Sequence, residues 1–253
     1  MAFSAMVRHE WRVQRRELAP VAMLTVMPVV LIAVLLPTYE NALAQTGALT
    51  GNGAEHAVPG FAVMFALFLA AHAGMTFFRD HAWRTWLRVR TLPISGLTLV
   101  LAKLVVPFLL VLVQLTAVLA VGVALFELRV HGSPLALAVL LTEFAACVLA
   151  LSVLAVALCQ TVVQLAAATN VATLVITGLG GALVPVELLP DWLEPIAPLT
   201  PSYWAMRGFH SVIVDGAGLT GISTPLGVLG AMTLALSVIA AVLLRPDRPK
   251  EPW

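Results

Sequence analysis

Six long apolar runs constrain this chain more than any other feature. They lie near Pro20 to Leu36, Val58 to Phe78, Leu97 to Phe126, Pro134 to Leu158, Val163 to Val184 and Pro225 to Leu244. A bilayer core about 30 Å thick takes about 20 helical residues, and each run is close to that or longer. In hydrocarbon the backbone must satisfy its own polar groups, so unbroken runs of this kind are read as helices. The balance of 60% hydrophobic and 11% charged residues excludes a soluble globular domain. The expected fold is therefore an all-α membrane protein, a single transmembrane domain over residues 1–253. No cleavable leader is expected, because the first run is long enough to stay as an anchor. Cys147 and Cys159 both fall inside apolar runs, which excludes a secreted disulfide framework or a zinc set and leaves them as packing residues.

The charges are few and segregated. Twelve of the fourteen Lys and Arg residues fall on one side of a six-span topology: Arg8, Arg12, Arg15, Arg16, Arg79, Arg84, Arg88, Arg90, Lys103, Arg245, Arg248 and Lys250. The positive-inside rule then puts both termini in the cytoplasm, and twelve arginines to two lysines, with alanine, valine and leucine dominant, point to a bacterial cell membrane. The stretch 77–103 holds much of this charge between the second and third spans. Asp80 precedes Arg84 by one helical turn, Trp83, Trp86, Leu87 and Arg90 share one helix side, and Arg84 and Arg88 share another. Pro93 disfavours further helix and Ser95 is a candidate N-cap for the next span. Two readings fit: a short basic helix on the membrane surface, or a loop that merely fixes topology.

Residues 3–17 read as a second interfacial helix, with Phe3, Val7, Trp11 and Leu18 on one arc and arginines on another; a plain cytoplasmic tail is the alternative. The connection 37–57 reads as a polar, Gly-rich loop. The connection 185–224 is too apolar for a solvated loop, and Pro185, Pro190, Pro195, Pro198 and Pro201 interrupt it too often for a span. Short broken helices that dip into the outer leaflet fit it, with Trp192, Tyr203 and Trp204 as interfacial anchors.

Polar residues within the spans are candidates for a path. Glu143 lies inside the fourth span, where a charged carboxylate costs about 2.5–3.5 kcal/mol or more, so it must be neutral, paired or facing water. It either contacts substrate or makes an interhelical hydrogen bond. His72 and Gln114 lie at similar depth, and His72 alone reads as a packing histidine. Asn170, with Thr169 and Thr173, either lines the path or joins helices. Gly180 and Gly181 suit an outer gate, or the bend that Pro185 requires.

Two of these stretches resemble the permease subunits of ABC-2 type ATP-binding-cassette exporters. One is Arg90-Thr-Leu-Pro-Ile-Ser followed by Lys103. The other runs from Gly180-Gly181 and Pro185 through Leu189-Pro-Asp-Trp-Leu193 and Pro201-Ser-Tyr203 to Arg207. Asp80 and Arg84-Thr85 stand where that family shows a glutamate and a Gly-Thr pair. The resemblance implies a cytoplasmic coupling helix carrying Asp80, Trp83, Arg84, Trp86, Leu87 and Arg88, which docks on separate ATPase subunits, two per complex. It also implies a second permease copy or a paralogue; the residues themselves make His72, Gln114, Glu143, Asn170, Gly180, Gly181 and Tyr203 the candidates for a path or gate. ATP and Mg belong to the partner. The sequence has no Gly-x-x-x-x-Gly-Lys-Ser/Thr loop and no segment long enough for a nucleotide domain, so no cofactor, catalytic or metal site is expected on it.

The expected activity is export of an amphiphilic drug, antibiotic or lipid, since the spans hold few aromatics for a glycan tunnel. The alternatives are export of a polysaccharide or lipid-linked glycan, or a non-transporting scaffold or channel. An intramembrane hydrolase using Ser152 and His72 is disfavoured, because no Gly-x-Ser-x-Gly elbow surrounds a serine. No nucleic-acid partner is expected.

Overall fold

A computed structural model describes residues 2–15, 18–46, 53–82 and 96–243. The described residues form helices α1 (Ala2–Gln14), α2 (Leu18–Thr46), α3 (Ala54–Ala82), α4 (Gly96–Leu125), α5 (Pro134–Leu158), α6 (Val162–Leu179), α7 (Pro201–Ile213) and α8 (Ser223–Leu243). Six of these, α2 to α6 and α8, are long and apolar enough to cross a membrane. The expected all-α, six-span architecture is therefore the fold.

The bundle is built around α3. Most of its spanning residues are buried, whereas α2, α6 and α8 leave most of theirs on the surface. It packs against α2, α4, α5, α6 and α7, and α8 lies along α5. Phe61 and Phe65 of α3 meet Leu115, Leu140, Phe144 and Phe209 in one core. Burying such side chains yields little inside lipid, whose tails are equally apolar, so close approach through small residues decides the packing. A Cβ on Gly74 would stand 2.7 Å from Ser152 Oγ, and one on Gly122 would stand 2.5 Å from Val58. Ser152 uses that closeness to donate to the Ala70 carbonyl across the α3–α5 seam, at 2.7 Å.

The ends of two helices differ from the sequence expectation. α2 runs on to Thr46 through the stretch expected to be loop. Its C-terminal half is held by tertiary contact, with Tyr39 reaching Leu183 and the α3 residues His56 and Phe61. α6 stops at Leu179, short of Val184, because the chain turns at Gly180 and Gly181. The turn between α5 and α6 is capped as short turns often are: Thr161 Oγ1 accepts from the Gln164 N–H at 3.1 Å.

The connection after α6 holds two 3-10 turns, Val186–Leu188 and Ala197–Leu199, before α7. Thr200 caps α7 by accepting from the Tyr203 N–H, and Pro201 sits in its first turn, where no backbone donor is needed. α7 turns Ala205, Phe209 and Val212 inward and leaves Arg207 and His210 exposed. Of the coupling residues, Trp83, Arg84, Trp86, Leu87 and Arg88 lie outside the described residues. Asp80 falls in α3 by its backbone, but its side chain lies outside the description as well.

Candidate functional site

The turn that ends α6 is held from three sides at one end of the bundle. Gly181 has φ +78°, a conformation glycine adopts without a steric cost. Three helices clasp this turn. From α7, Ser202 Oγ donates to the Ile176 carbonyl at 2.5 Å and lies where a Cβ on Gly180 would be. From α3, Gly60 lets the Ala182 carbonyl come so near that an added Cβ would stand 2.0 Å from its oxygen. From α2, the Tyr39 hydroxyl donates to the Leu183 carbonyl. Replacing Tyr39 with phenylalanine removes that bond and is expected to cost about 1 kcal/mol, read as a lowered Tm in detergent.

Beside the turn lies a cavity of about 850 Å³, bounded by Gly180, Gly181, Glu55, Glu194, Tyr203 and Arg207. The Arg207 guanidinium donates to the Tyr203 hydroxyl at 3.3 Å and sits 5.9 Å from the Trp204 ring centre. Trp204 Nε1 donates in turn to the Pro198 carbonyl at 2.8 Å, tying α7 to the turns before it. His210 Nδ1 lies 3.4 Å from Asp215 on the same rim. The cavity is thus walled by ionisable groups together with Pro185, Val186, Pro198 and Met206, so polar and apolar surface share its wall.

A second pocket is more uniformly apolar. It holds about 250 Å³ between α3, α5 and α6, with Leu67, Ala70, Val148, Leu151, Ala168 and Ala172 in its wall. Two of its three hydroxyls are turned back to backbone: Ser152 Oγ to the Ala70 carbonyl and Thr169 Oγ1 to the Leu165 carbonyl, both at 2.7 Å. Apart from Thr173 and the Cys159 thiol, what remains is carbon. An apolar cavity of about 150 Å³ already binds a small hydrocarbon, so this pocket is large enough for an apolar moiety.

The predicted path residues divide among these places. Gly180, Gly181 and Tyr203 come together on the larger cavity. Asn170 lies on the exposed face of α6, while Thr169 and Thr173 lie on its buried face. Gln114 is fully buried on α4, where its Nε2 donates to the Ala62 carbonyl of α3 at 3.4 Å, so it joins two helices. Glu143 accepts from Thr233 Oγ1 of α8 at 3.2 Å, next to Gly230. His72 is half-buried on α3. Sequence reasoning missed Gly60 and Tyr39 as members of the clasp, and quoted Ser202 only within the Pro201-Ser-Tyr203 motif without this role. The one local hint was Pro59-Gly60 within an otherwise continuous apolar run.

Fold and site define a multi-pass membrane protein built as a helical bundle, with a mixed polar and apolar cavity at one end and an apolar pocket within. The family model that matches is that of the ABC-2 type transporter, over residues 1–214, and the chain belongs to that family. It is also similar to the linearmycin resistance permease protein LnrN of Bacillus subtilis (strain 168), 25% identical over 204 residues. That alignment covers 81% of this chain and 52% of the relative, so the chain spans about half the length of the curated relative it matches.

Proposed function

We propose that this chain is the membrane subunit of an ATP-driven exporter that moves an amphiphilic small molecule, such as a drug or antibiotic, out of the cytoplasm or inner leaflet. The observation that carries the reading is the family match over residues 1–214, laid on a bundle with six candidate spans. The substrate class draws support from the apolar pocket among α3, α5 and α6, and from a relative whose name ties it to antibiotic resistance. In this reading the chain forms one transmembrane domain, with its termini and the 80–90 stretch in the cytoplasm. ATP and Mg²⁺ are bound by two separate ATPase subunits, and a second permease copy or a paralogue completes the path. The turns and helix between α6 and α8 dip into the outer leaflet, and the cavity beside Gly180 and Tyr203 is the release side.

The test is affinity capture of the tagged chain from native membranes, followed by ATPase assay of the captured material. Capture of a nucleotide-binding subunit is expected, with turnover that drops at least tenfold when Trp83 and Trp86 are both changed to alanine. Buried aromatic anchors commonly contribute 2 kcal/mol or more each to an interface, so losing about two of them gives that factor or more. Capture of the chain without any ATPase from membranes that hold the intact complex would overturn the proposal.

A further inference from the structure

The cavity beside Gly180 is unevenly charged. Four carboxylates stand on its wall: Glu55 at the start of α3, Glu187 and Glu194 in the connection after α6, and Asp215 beyond α7. Among the described residues Asp215 has a basic partner, His210 Nδ1 at 3.4 Å, whereas Glu55, Glu187 and Glu194 have none within ion-pair reach. Arg207 lines the same wall but turns to the Tyr203 hydroxyl and the Trp204 ring. Three carboxylates are left against one guanidinium. A cleft of one prevailing sign with low-dielectric walls concentrates ions of the other sign.

Charge alone would describe any solvated rim, since Glu187 and Glu194 are exposed. Two further observations separate this wall from a rim. Glu55 is half-buried, and beside it His56 keeps Nε2 buried with no hydrogen-bond partner. An unpaired buried nitrogen costs stability, and a group that enters the cavity and bonds to it removes that cost. The rest of the wall is suited to an amphiphile. Pro185, Val186, Pro198 and Met206 share it with the Tyr203 ring, and the same connection leaves Leu188, Trp192, Ile196 and Leu199 exposed. An aromatic face attracts a cation, and the apolar side chains attract its tail. A metal ion fits badly, because among the described residues no three His, Cys, Asp or Glu side chains converge to hold one. Dispersed carboxylates suit the more diffuse charge of an organic ammonium.

We propose that this cavity binds the protonated amine of the exported amphiphile. Glu55 accepts an ammonium N–H, neutral His56 with its proton on Nδ1 accepts another at Nε2, and Glu187 and Glu194 supply the negative field. The Pro185 and Val186 side takes the start of the tail. The inference rests on the proposed export function for the identity of its ligand, though not for the charge preference of the site. Arg207 repels an ammonium, so losing its charge tightens binding.

The test uses the full chain in dodecyl maltoside, an uncharged detergent, with octylamine, octanol and octanoate as probes of one tail length. Binding to the folded chain raises its Tm, and titration of the tryptophan fluorescence gives the Kd. Octylamine is expected to bind about tenfold more tightly than the other two, the scale of one charge-assisted hydrogen bond, and added salt shrinks the advantage. Glu55→Gln raises the Kd of octylamine about tenfold, and Glu55→Asp keeps it near wild type. His56→Phe and the exposed Glu194→Gln each raise it about threefold. Arg207→Gln lowers it about twofold, a direction that damage to the fold would not produce. The Tm of each variant without probe shows that it is folded.

Equal affinity for the three probes would overturn the inference, as would a preference for octylamine that Glu55→Gln, His56→Phe and Glu194→Gln all leave intact. Phosphatidylethanolamine that displaces octylamine at equal concentration would give the cavity to a membrane lipid and overturn its assignment to cargo. Charge-selective binding, beside a native complex that holds no ATPase, would count against the export function and leave the amine site standing. An ATPase complex stimulated equally by octylamine and octanol would do the reverse.

Discussion

Changing Gly60 to alanine is expected to destabilise the chain by about 2 kcal/mol and to lower its folded yield, although alanine is the better helix former. Two effects oppose each other. In a helix interior alanine gains about 1 kcal/mol over glycine. Against that, the new Cβ would lie 2.0 Å from the Ala182 carbonyl oxygen. Overpacking of this kind costs about 1–3 kcal/mol, and the upper end applies where the obstacle is backbone rather than a side chain that can turn away. Ala182 cannot retreat freely, because Gly181, Leu183 and Ile176 around it are fixed from α2 and α7. Gly227 is the control: nothing lies within 4 Å of a Cβ there, so Gly227→Ala is expected to be neutral or mildly stabilising. Thermal melts in one detergent compare the two. Equal Tm values for Gly60→Ala and Gly227→Ala would show that the turn after α6 does not press on α3.

That clasp also marks where the sequence was legible and where it was not. The spans could be read because lipid imposes one local rule, continuous apolarity over about 20 residues, and each run carries that rule in itself. Pro134 to Leu158 matched α5 at both ends. Hydropathy reports solubility in lipid, however, and not backbone direction. It carried the fifth span to Val184, past Gly181, whose φ of +78° ends the helix path. It also stopped the first span at Leu36, since Thr38, Glu40 and Asn41 look like loop. Helix persists there because Tyr39 docks on a carbonyl far along the chain, and no local pattern names that partner.

The site residues divide by the same logic. Gly180, Gly181 and Tyr203 were singled out from one nearly contiguous motif, and the fold sets them around one cavity. His72, Gln114 and Glu143 were grouped by depth alone, and depth says nothing about which side of a helix a residue faces. Gln114 turns toward Ala62 of α3, whereas Glu143 turns toward Thr233 of α8. Partners such as Glu10 with Lys103 or Glu143 with Thr233 meet across helices and leave no trace in local spacing.

Glu143 yields the other large expected effect, and it separates the two roles an intramembrane acid can have. The carboxyl accepts from Thr233 Oγ1, whose hydroxyl is also within 2.8 Å of the Leu229 carbonyl, and the missing side chain at Gly230 leaves room for it. It borders neither the cavity beside Gly180 nor the apolar pocket. Glu143→Gln preserves shape and an acceptor, so stability should hold within about 0.5 kcal/mol, the usual margin for a change that breaks no buried contact. Turnover of the ATPase complex should then be unchanged. Glu143→Leu loses the interhelical bond, at about 0.6 kcal/mol for such bonds within membranes. Glu143→Lys puts a cation on the same seam against the Thr233 hydroxyl, at about 2.5–3.5 kcal/mol for a charge near mid-span, and should fail to accumulate as folded protein. The order glutamine, leucine, lysine in Tm, with turnover per folded molecule constant across the first two, identifies the residue as a fastener between α5 and α8. A Glu143→Gln protein that melts like the wild type yet has lost turnover would show instead that the acid itself takes part in transport, despite facing away from both cavities.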